Sequence, residues 1–524
     1  MKGSTLFNRV KKSCMVAMLA AGMLLGATAG AQAVDFKAKG QWLVGFGLGD
    51  ARLGSNGNKA DLFGATQRFR VQLDAIASEN LSGRLWFEIG NQDWGSNTTS
   101  NRGGALGADG NQAIKIKNAY IDWIVPQTDL KVRMGIQNVT LPNAAGGSSV
   151  IGATDVAGIT ASYQFNDMVG LTAFWYRPAN DNYNVARAGD NANNTHYLDN
   201  MDLFGLAVPV TMDGFEVTPW VMYGMLGRNT LDKWDGNNTA DGILRQTLLA
   251  NPGNQGVNDL RFLRGNDDRA YSSMFWGGLP IKVTAWDPLN VEFEFNYGYV
   301  QGFGDSRATN YKTGIVKRAD TRREGWLVKA LVEYKLDWGV PGIFGWYASG
   351  DDGDVKNGSE RMPSIKANGR FTSFNGAAGT DWYSGGVSKG AFNEKHTSYA
   401  GTWGVGLQVR DMSFLEDLKH TFRVAYWGGT NSPDMVKYFA ASNDWNMADG
   451  YDGIYLTSND GLIEFNLDNS YKIYENLTVN LDFGYIVNCM DRGTWKRSGS
   501  WNWADNNWDK RDAWKTQLTF NYSF

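Results

Sequence analysis

Several short stretches of this sequence carry residue types that do chemistry in other settings. Gly386-Val387-Ser388-Lys389-Gly390 matches G-x-S-x-G, with His396 not far along. A serine at such an elbow needs a buried strand running straight into a helix, which holds the hydroxyl out on a strained turn. This pentapeptide lies inside a Gly-rich polar stretch with no helical pattern after it, so hydrolase chemistry has no frame here. Gly45-Phe46-Gly47-Leu48-Gly49 would cradle a pyrophosphate only if a helix followed, and a polar stretch follows instead. Asp351-Asp352-Gly353-Asp354 offers oxygen ligands but lacks the later bidentate Glu of a calcium loop, and reads as a solvated turn. The five Trp from Trp495 to Trp514 invite sugar stacking, but read first as loop packing or a subunit contact. No cofactor and no metal site are expected, and the chain is expected not to be an enzyme.

The chemistry that repeats is electrostatic. Charged and apolar residues alternate with a period of two, which is the signature of a strand with one polar and one apolar face. In Gln67–Ile76, Arg68, Arg70, Gln72 and Asp74 oppose Phe69, Val71, Leu73 and Ala75. In Leu81–Ile89, Arg84 and Glu88 oppose Leu85 and Phe87; in Leu130–Gln137, Lys131 and Arg133 oppose Val132, Met134 and Ile136. Asp122, Glu292, Glu294, Lys329, Glu333, Arg410, Arg423 and Lys515 obey the same parity in later strands. The last strand, Arg511–Phe524, sets Trp514, Leu518, Phe520, Tyr522 and Phe524 against Lys515, Gln517 and Asn521.

Such strands need a frame, and the ends of the chain limit the choice. Residues 1–33 have a basic start, an apolar run and Ala31-Gln32-Ala33 as a small-x-small cleavage site, so they read as a secretory signal with the mature chain starting at Val34. That segment holds four of the 50 Lys and Arg and none of the 54 Asp and Glu, which leaves 46 against 54 and a net charge of −8. Nucleic acid is not an expected partner. Only Cys489 remains after cleavage, so no intrachain disulfide forms. No later apolar run is long enough for a membrane helix. If the chain spans a membrane it must do so as a closed barrel, the only other structure that pairs every backbone group in lipid.

Connection lengths favour that choice. Short turns (77–80, 126–129, 166–167, 212–214, 286–290, 337–342, 411–417, 474–476) alternate with long Gly/Asn/Asp-rich loops (91–112, 139–156, 178–200, 228–269, 302–322, 350–397, 428–461, 488–511). Periplasmic turns and extracellular loops around a transmembrane β-barrel have this pattern. The expected fold is all-β: an antiparallel barrel of about 18 strands, with 16 as the alternative, over residues 34–524. Aromatics near strand ends are expected to form girdles at the lipid headgroups: Trp86, Trp123, Trp175, Tyr176, Trp220, Trp276, Trp286, Tyr297, Tyr299, Trp326, Trp338, Tyr426, Trp427, Tyr485 and Trp514.

The mature start VDFKAKGQWLVGFGLGD, the segment KNAYIDWIVP (117–126), the strand and loop VRMGIQNVTLPNAAGG (132–147) and the closing FNYSF resemble the homotrimeric outer-membrane porins of Desulfovibrio-type sulfate-reducing bacteria. The resemblance covers essentially the whole mature chain. It implies a passive trimeric channel whose loop after the fifth strand folds inward as the constriction, about residues 138–156, with Asn138, Thr140, Asn143 and Asp155 on it. It also implies that Phe524 is the signal read by the barrel-assembly machinery. The family tends to place Arg after Met-Gly in the fifth strand; Ile136 stands there, so no role passes to that position.

The expected function is therefore general diffusion of small hydrophilic solutes and ions through the outer membrane of a Gram-negative bacterium, in contact with its lipid. A channel selective for an anion or organic acid, and a non-conducting structural or adhesin barrel, are the alternatives. Inward charges set selectivity in such a pore. The expected basic lining is Arg68, Arg70, Arg84, Lys131, Arg133 and Arg423; the acidic lining is Asp74, Glu88, Asp122, Glu292 and Glu294. Arg68 with Arg70 and Lys131 with Arg133 form two basic rungs, facing acidic groups across the lumen or Asp155, unless these charges simply pair with one another.

Overall fold

The computed structural model describes residues 34–50, 53–55, 62–96, 104–106, 114–180, 200–227, 230, 247–250, 271–367, 371, 399–439, 454–497 and 509–524. The secretory segment, the Ser388 pentapeptide with His396, and Trp501, Trp503 and Trp508 lie outside them. Eighteen antiparallel strands form one closed ring. In chain order they are β1 (Asp35–Asp50), β2 (Leu62–Ser78), β3 (Leu81–Asp93), β4 (Lys115–Ile124), β5 (Lys131–Thr140) and β6 (Ala153–Gln164). There follow β7 (Gly170–Asn180), β8 (Asn200–Ala207, resuming at Val210–Met212), β9 (Phe215–Val217, resuming at Trp220–Gly227), β10 (Tyr271–Val283), β11 (Leu289–Val300) and β12 (Arg323–Tyr334). The last are β13 (Val340–Ala348), β14 (Thr402–Leu415), β15 (Leu418–Gly429), β16 (Gly461–Tyr474), β17 (Leu477–Asn488) and β18 (Ala513–Ser523). β8 and β9 break at Val208-Pro209 and Thr218-Pro219, where a proline has no N–H to give the ladder.

Each strand pairs with its sequence neighbour, and β18 returns to β1 in the register Gln41↔Ser523 through Asp50↔Trp514. Gly40 N donates to Phe524 O at 2.7 Å and Phe524 N to Gly40 O at 3.0 Å, which carries the seam to the chain's last residue. The ring itself therefore has no open edge. Sequence alternation becomes wall alternation. On β11, Phe293 and Phe295 are exposed on the outer face while Glu294 and Asn296 are buried on the inner one. The apolar outer face with a polar inner one is that of a transmembrane barrel of the outer-membrane type. Short turns, which face the periplasm in such barrels, and long extracellular loops lie at opposite ends.

Some boundaries differ from the sequence reading. The stretch read as a turn at 411–417 is mostly strand: β14 runs to Leu415 with register shifts after Val409 and Met412, leaving only Glu416 and Asp417 as the turn. Asp411, at φ 54°, forms the irregularity that hid the strand's period. β5 and β6 also reach further than read, so the loop between them is 141–152.

Not all the aromatics assigned to girdles belong there. Trp123, Trp286, Trp326, Trp338 and Tyr426 are exposed on the outside or in turns. Trp220, Trp276, Trp427 and Tyr176 are buried on the inner face, and Trp86 also faces inward. Inward rings need room, and glycine on the next strand provides it. A Cβ at Gly205 would stand 2.1 Å from Phe174, one at Gly406 2.3 Å from Phe344, and one at Gly404 2.4 Å from Trp346. These rings lie flat along the wall, covering neighbouring glycines without projecting across the barrel.

Candidate conduit and its constriction

β2 to β5 carry the charged residues singled out in the sequence, and adjacent strands place opposite charges in register. Arg70 pairs with Glu88 at 2.7 Å between β2 and β3. Arg84 on β3 grips Asp74 on β2 with Nε at 2.7 Å and Nη2 at 3.2 Å. Arg133 on β5 grips Asp122 on β4 at 2.7 and 2.8 Å. Each guanidinium thus has a carboxylate beside it, not across the barrel, and the two-pronged geometry holds both groups flat against the wall. Arg68 lies on the same face of β2 as Arg70, toward the extracellular end.

Two rings fill the spaces between these pairs. Tyr120 lies between Arg133, whose Cζ is 4.1 Å from the ring centroid, and Arg84, at 5.7 Å. Trp86 lies between Arg70 at 5.8 Å and Lys117 at 5.6 Å. Cation over π-face is favourable by roughly 0.5–2 kcal/mol, so the rings fix the cations as the carboxylates do. Beside this column, Gln137, Thr160 and Tyr176 form a hydrogen-bonded run: Thr160 Oγ1 donates to Gln137 Oε1 at 2.9 Å and lies 2.9 Å from Tyr176 OH. Asp122, Lys131, Arg133, Gln137, Thr160 and Tyr176 help line a groove of about 570 Å³ along the inner wall.

The opposite wall is covered. Loop 141–152 crosses the barrel from β5 to β11, where Ala144 N donates to Glu294 Oε2 and Ala145 N to Glu292 Oε2, both at 2.8 Å. Three successive left-handed residues, Ala145 (φ 50°), Gly146 (φ 95°) and Gly147 (φ 76°), shape the tip. Such a turn aims consecutive N–H groups into one concavity that suits an anion. Beneath it Lys329 Nζ lies 2.9 Å from Glu294, with the two side chains 0% and 1% exposed. Arg410 grips Glu333 at 2.5 and 3.0 Å nearer the turns, and Arg423 pairs with Asp468 on the adjacent strand.

A second loop also turns inward, which the sequence reading did not anticipate. After β13 the chain passes down the inside, where Trp276 Nε1 donates to Pro363 O at 3.0 Å and Arg323 donates to the carbonyls of Arg361 and Met362. Ile365 N and Lys366 N both donate to Ile151 O, so this loop holds the first one. Val355, Met362 and Ile365, apolar residues inside a polar stretch, are a sequence trace of this burial.

Of the residues assigned to the constriction loop, only Asn143 lies in it. Asn138 and Thr140 are on β5, and Asp155 is on β6 opposite Asn138. Asp155 is held by Lys117 Nζ at 2.5 Å and by the side-chain amides of Asn118 and Asn138. Polar Asn138 and Thr140 interrupt the apolar face that marks β5, so the last turn of its alternation has no sequence signal.

No family model matches this chain, and no curated protein matches it. Among solved structures it is similar to OccK2 (OpdF) of Pseudomonas aeruginosa, solved with glucuronate, at 11% identity over 94% of this chain and 98% of that one, with a TM-score of 0.48. It is similar to OccAB3 of Acinetobacter baumannii at 10% identity over 94% and 99%, with a TM-score of 0.47. It is likewise similar to the outer membrane protein OprD of Pseudomonas aeruginosa at 10% identity over 95% and 96%, with a TM-score of 0.46.

Proposed function

We propose that this chain is a passive outer-membrane channel for small hydrophilic solutes and ions. The observation that carries this reading is the unequal covering of the two inner walls. Lys329 and Glu294 on the β11–β12 side are sealed under the inward loop, while the Arg133 and Asp122 side chains on the β4–β5 side remain 37% and 40% exposed. The conduit then runs along β2 to β7, past the paired charges, the bracketed rings and the hydroxyl run. Paired charges carry little net field, which suits general diffusion of polar solutes. The stacking of Arg84 and Arg133 on Tyr120 favours, as a second reading, selectivity for a small organic anion. The finer assignment, a homotrimer of the Desulfovibrio type inserted by the barrel-assembly machinery, is supported by the motifs at 34–50, 117–126, 132–147 and 520–524.

Recording from single channels in planar bilayers tests the proposal. Ohmic conductance in steps of three is expected from the trimeric porin; saturation by one organic anion points to the selective channel; absence of current rejects both. Replacing Arg68, Arg70, Lys131 and Arg133 with neutral residues leaves Glu88 and Asp122 uncompensated, so the reversal potential in a salt gradient shifts toward cations. A unit charge about 6 Å from a passing ion in water is worth roughly 0.7 kcal/mol, about threefold in the local ion ratio. Unchanged selectivity removes these rungs from the conduction path.

A further inference from the structure

We propose that the groove along β5 to β7 is a binding track for uncharged polyhydroxylated solutes, sugar alcohols and small sugars, which it retains in preference to organic anions of the same size. This rests on the channel reading above and names its substrate class.

The charges that line the groove cancel. Glu79 in the β2–β3 turn and Asp122 are its carboxylates; Lys131 and Arg133 are its cations. Arg133 gives Nε and Nη2 to Asp122 and lays one face on Tyr120. A carboxylate entering the groove therefore meets a guanidinium that is already satisfied, with another carboxylate beside it. A charged solute loses part of its hydration in such a space, and a lining without net charge returns little of that cost. An uncharged solute avoids the penalty.

Hydroxyls supply what the charges do not. Register sets Thr160 of β6 opposite Arg133 and Ser162 opposite Lys131, with Thr172 of β7 opposite Ser162 in turn. Thr160 Oγ1 has one proton and gives it to Gln137 Oε1, so the Tyr176 hydroxyl is the donor in its contact with Thr160. The Thr160 oxygen is thereby left as an acceptor toward the groove. Ser162 Oγ and Thr172 Oγ1 lie 3.0 Å apart and share one hydrogen bond, which leaves this pair one O–H to donate and lone pairs to accept. Gln137 and Tyr176 are buried and fix the floor, while Thr160, Ser162 and Thr172 are half-buried and within reach of a solute. Each hydroxyl of a polyol also both donates and accepts. It can exchange its bonds to water for bonds to this column one at a time, and the groove's volume of about 570 Å³ accommodates a six-carbon chain with water around it.

Single-channel recording of the full chain in potassium chloride, with sorbitol or gluconate added in steps, tests this. The two solutes share a polyhydroxylated six-carbon skeleton and differ in charge. Sorbitol is expected to lower the ion current along a saturating curve, and gluconate to block more weakly. Ser162→Ala/Thr172→Val, in a chain that keeps the barrel's unheated gel mobility, is expected to raise the half-blocking concentration of sorbitol about fivefold, the loss of one hydrogen bond. An unchanged value in that variant overturns the track. So does a linear fall of current, equal for both solutes, which viscosity alone produces; in both cases the channel stands. Tighter block by gluconate than by sorbitol overturns the track in favour of the organic-anion reading. No current, together with no swelling of proteoliposomes in sorbitol, refutes the channel and the track with it.

Discussion

The ring of Phe524 lies so close over Gly40 that a Cβ added there would stand 2.3 Å from its Cζ, while the backbones of the two residues exchange hydrogen bonds in both directions. Phe524 also stacks on Phe69 of β2, with centroids 6.2 Å apart and planes 19° from parallel. The chain's last residue thus bridges β18, β1 and β2, and the seam is closed by side chains as well as by the ladder.

Gly40→Leu is expected to push the ring out of this seat at a cost of about 1–3 kcal/mol, the usual range for overpacking. A lower temperature midpoint for the heat-induced gel shift reads this out. Deleting Phe524 removes the stack and both hydrogen bonds, and we expect reduced surface yield with unchanged conductance of whatever barrels insert. Normal yield from the truncated chain, together with a wild-type midpoint for Gly40→Leu, would show that the seam does not depend on this contact.

The pair Lys329–Glu294 gives a second prediction. Both side chains are sealed, so removing one leaves a buried charge with no counter-charge beside it. Lys329→Met is expected to destabilise the barrel by about 3–5 kcal/mol, and adding Glu294→Gln to restore much of that, because the penalty lies in the leftover charge. Thermal unfolding in detergent decides. Equal losses in the single and double variants mean that packing, not charge, sets the cost.

The parts of this molecule visible in its sequence are those governed by local geometry. VEFEFNYGY displays its two faces because side chains on a strand must alternate, and β11 places Phe293, Glu294, Phe295 and Asn296 accordingly. Alternating connection lengths gave the hairpins for the same local reason. What could not be read depends on distant contacts. Trp276 reads as a girdle residue until Pro363, 87 positions later, is seen accepting its indole N–H. Glu294 reads as a lumen charge until a loop from the other wall covers it. Parity places Asp122 and Arg133 inward but does not say that they meet; that follows from the register of β4 and β5. The second inward loop had the weakest signal, because loop burial has no period.

That second loop yields the last prediction. Glu360 lies in it, outside the strands, with Ser349 Oγ donating to its carbonyl and Asp352 N donating to its carboxylate at 3.1 Å. Burial pushes the Glu360 carboxyl up from the usual 4.5 to about 7, and the charges of Asp351 and Asp352 add to this against the hydrogen bond from Asp352 N. A carboxyl whose folded value lies above its unfolded one favours the folded loop when protonated. The contribution is complete below about pH 4.5 and is lost as pH rises through about 7. The loop around Glu360 is therefore expected to be better protected from protease at pH 5 than at pH 8. Glu360→Gln, neutral at every pH, is expected to abolish that difference and to give at pH 8 the protection that the wild type has at pH 5. A protease whose own pH dependence has been corrected on an unfolded peptide of the same sequence provides the measurement. If the wild type and Glu360→Gln lose protection in parallel between pH 5 and 8, the dependence comes from another group. Asp351 is then the first to replace, since Ser359 Oγ and Tyr455 OH both donate to its carboxylate and tie this loop to the next.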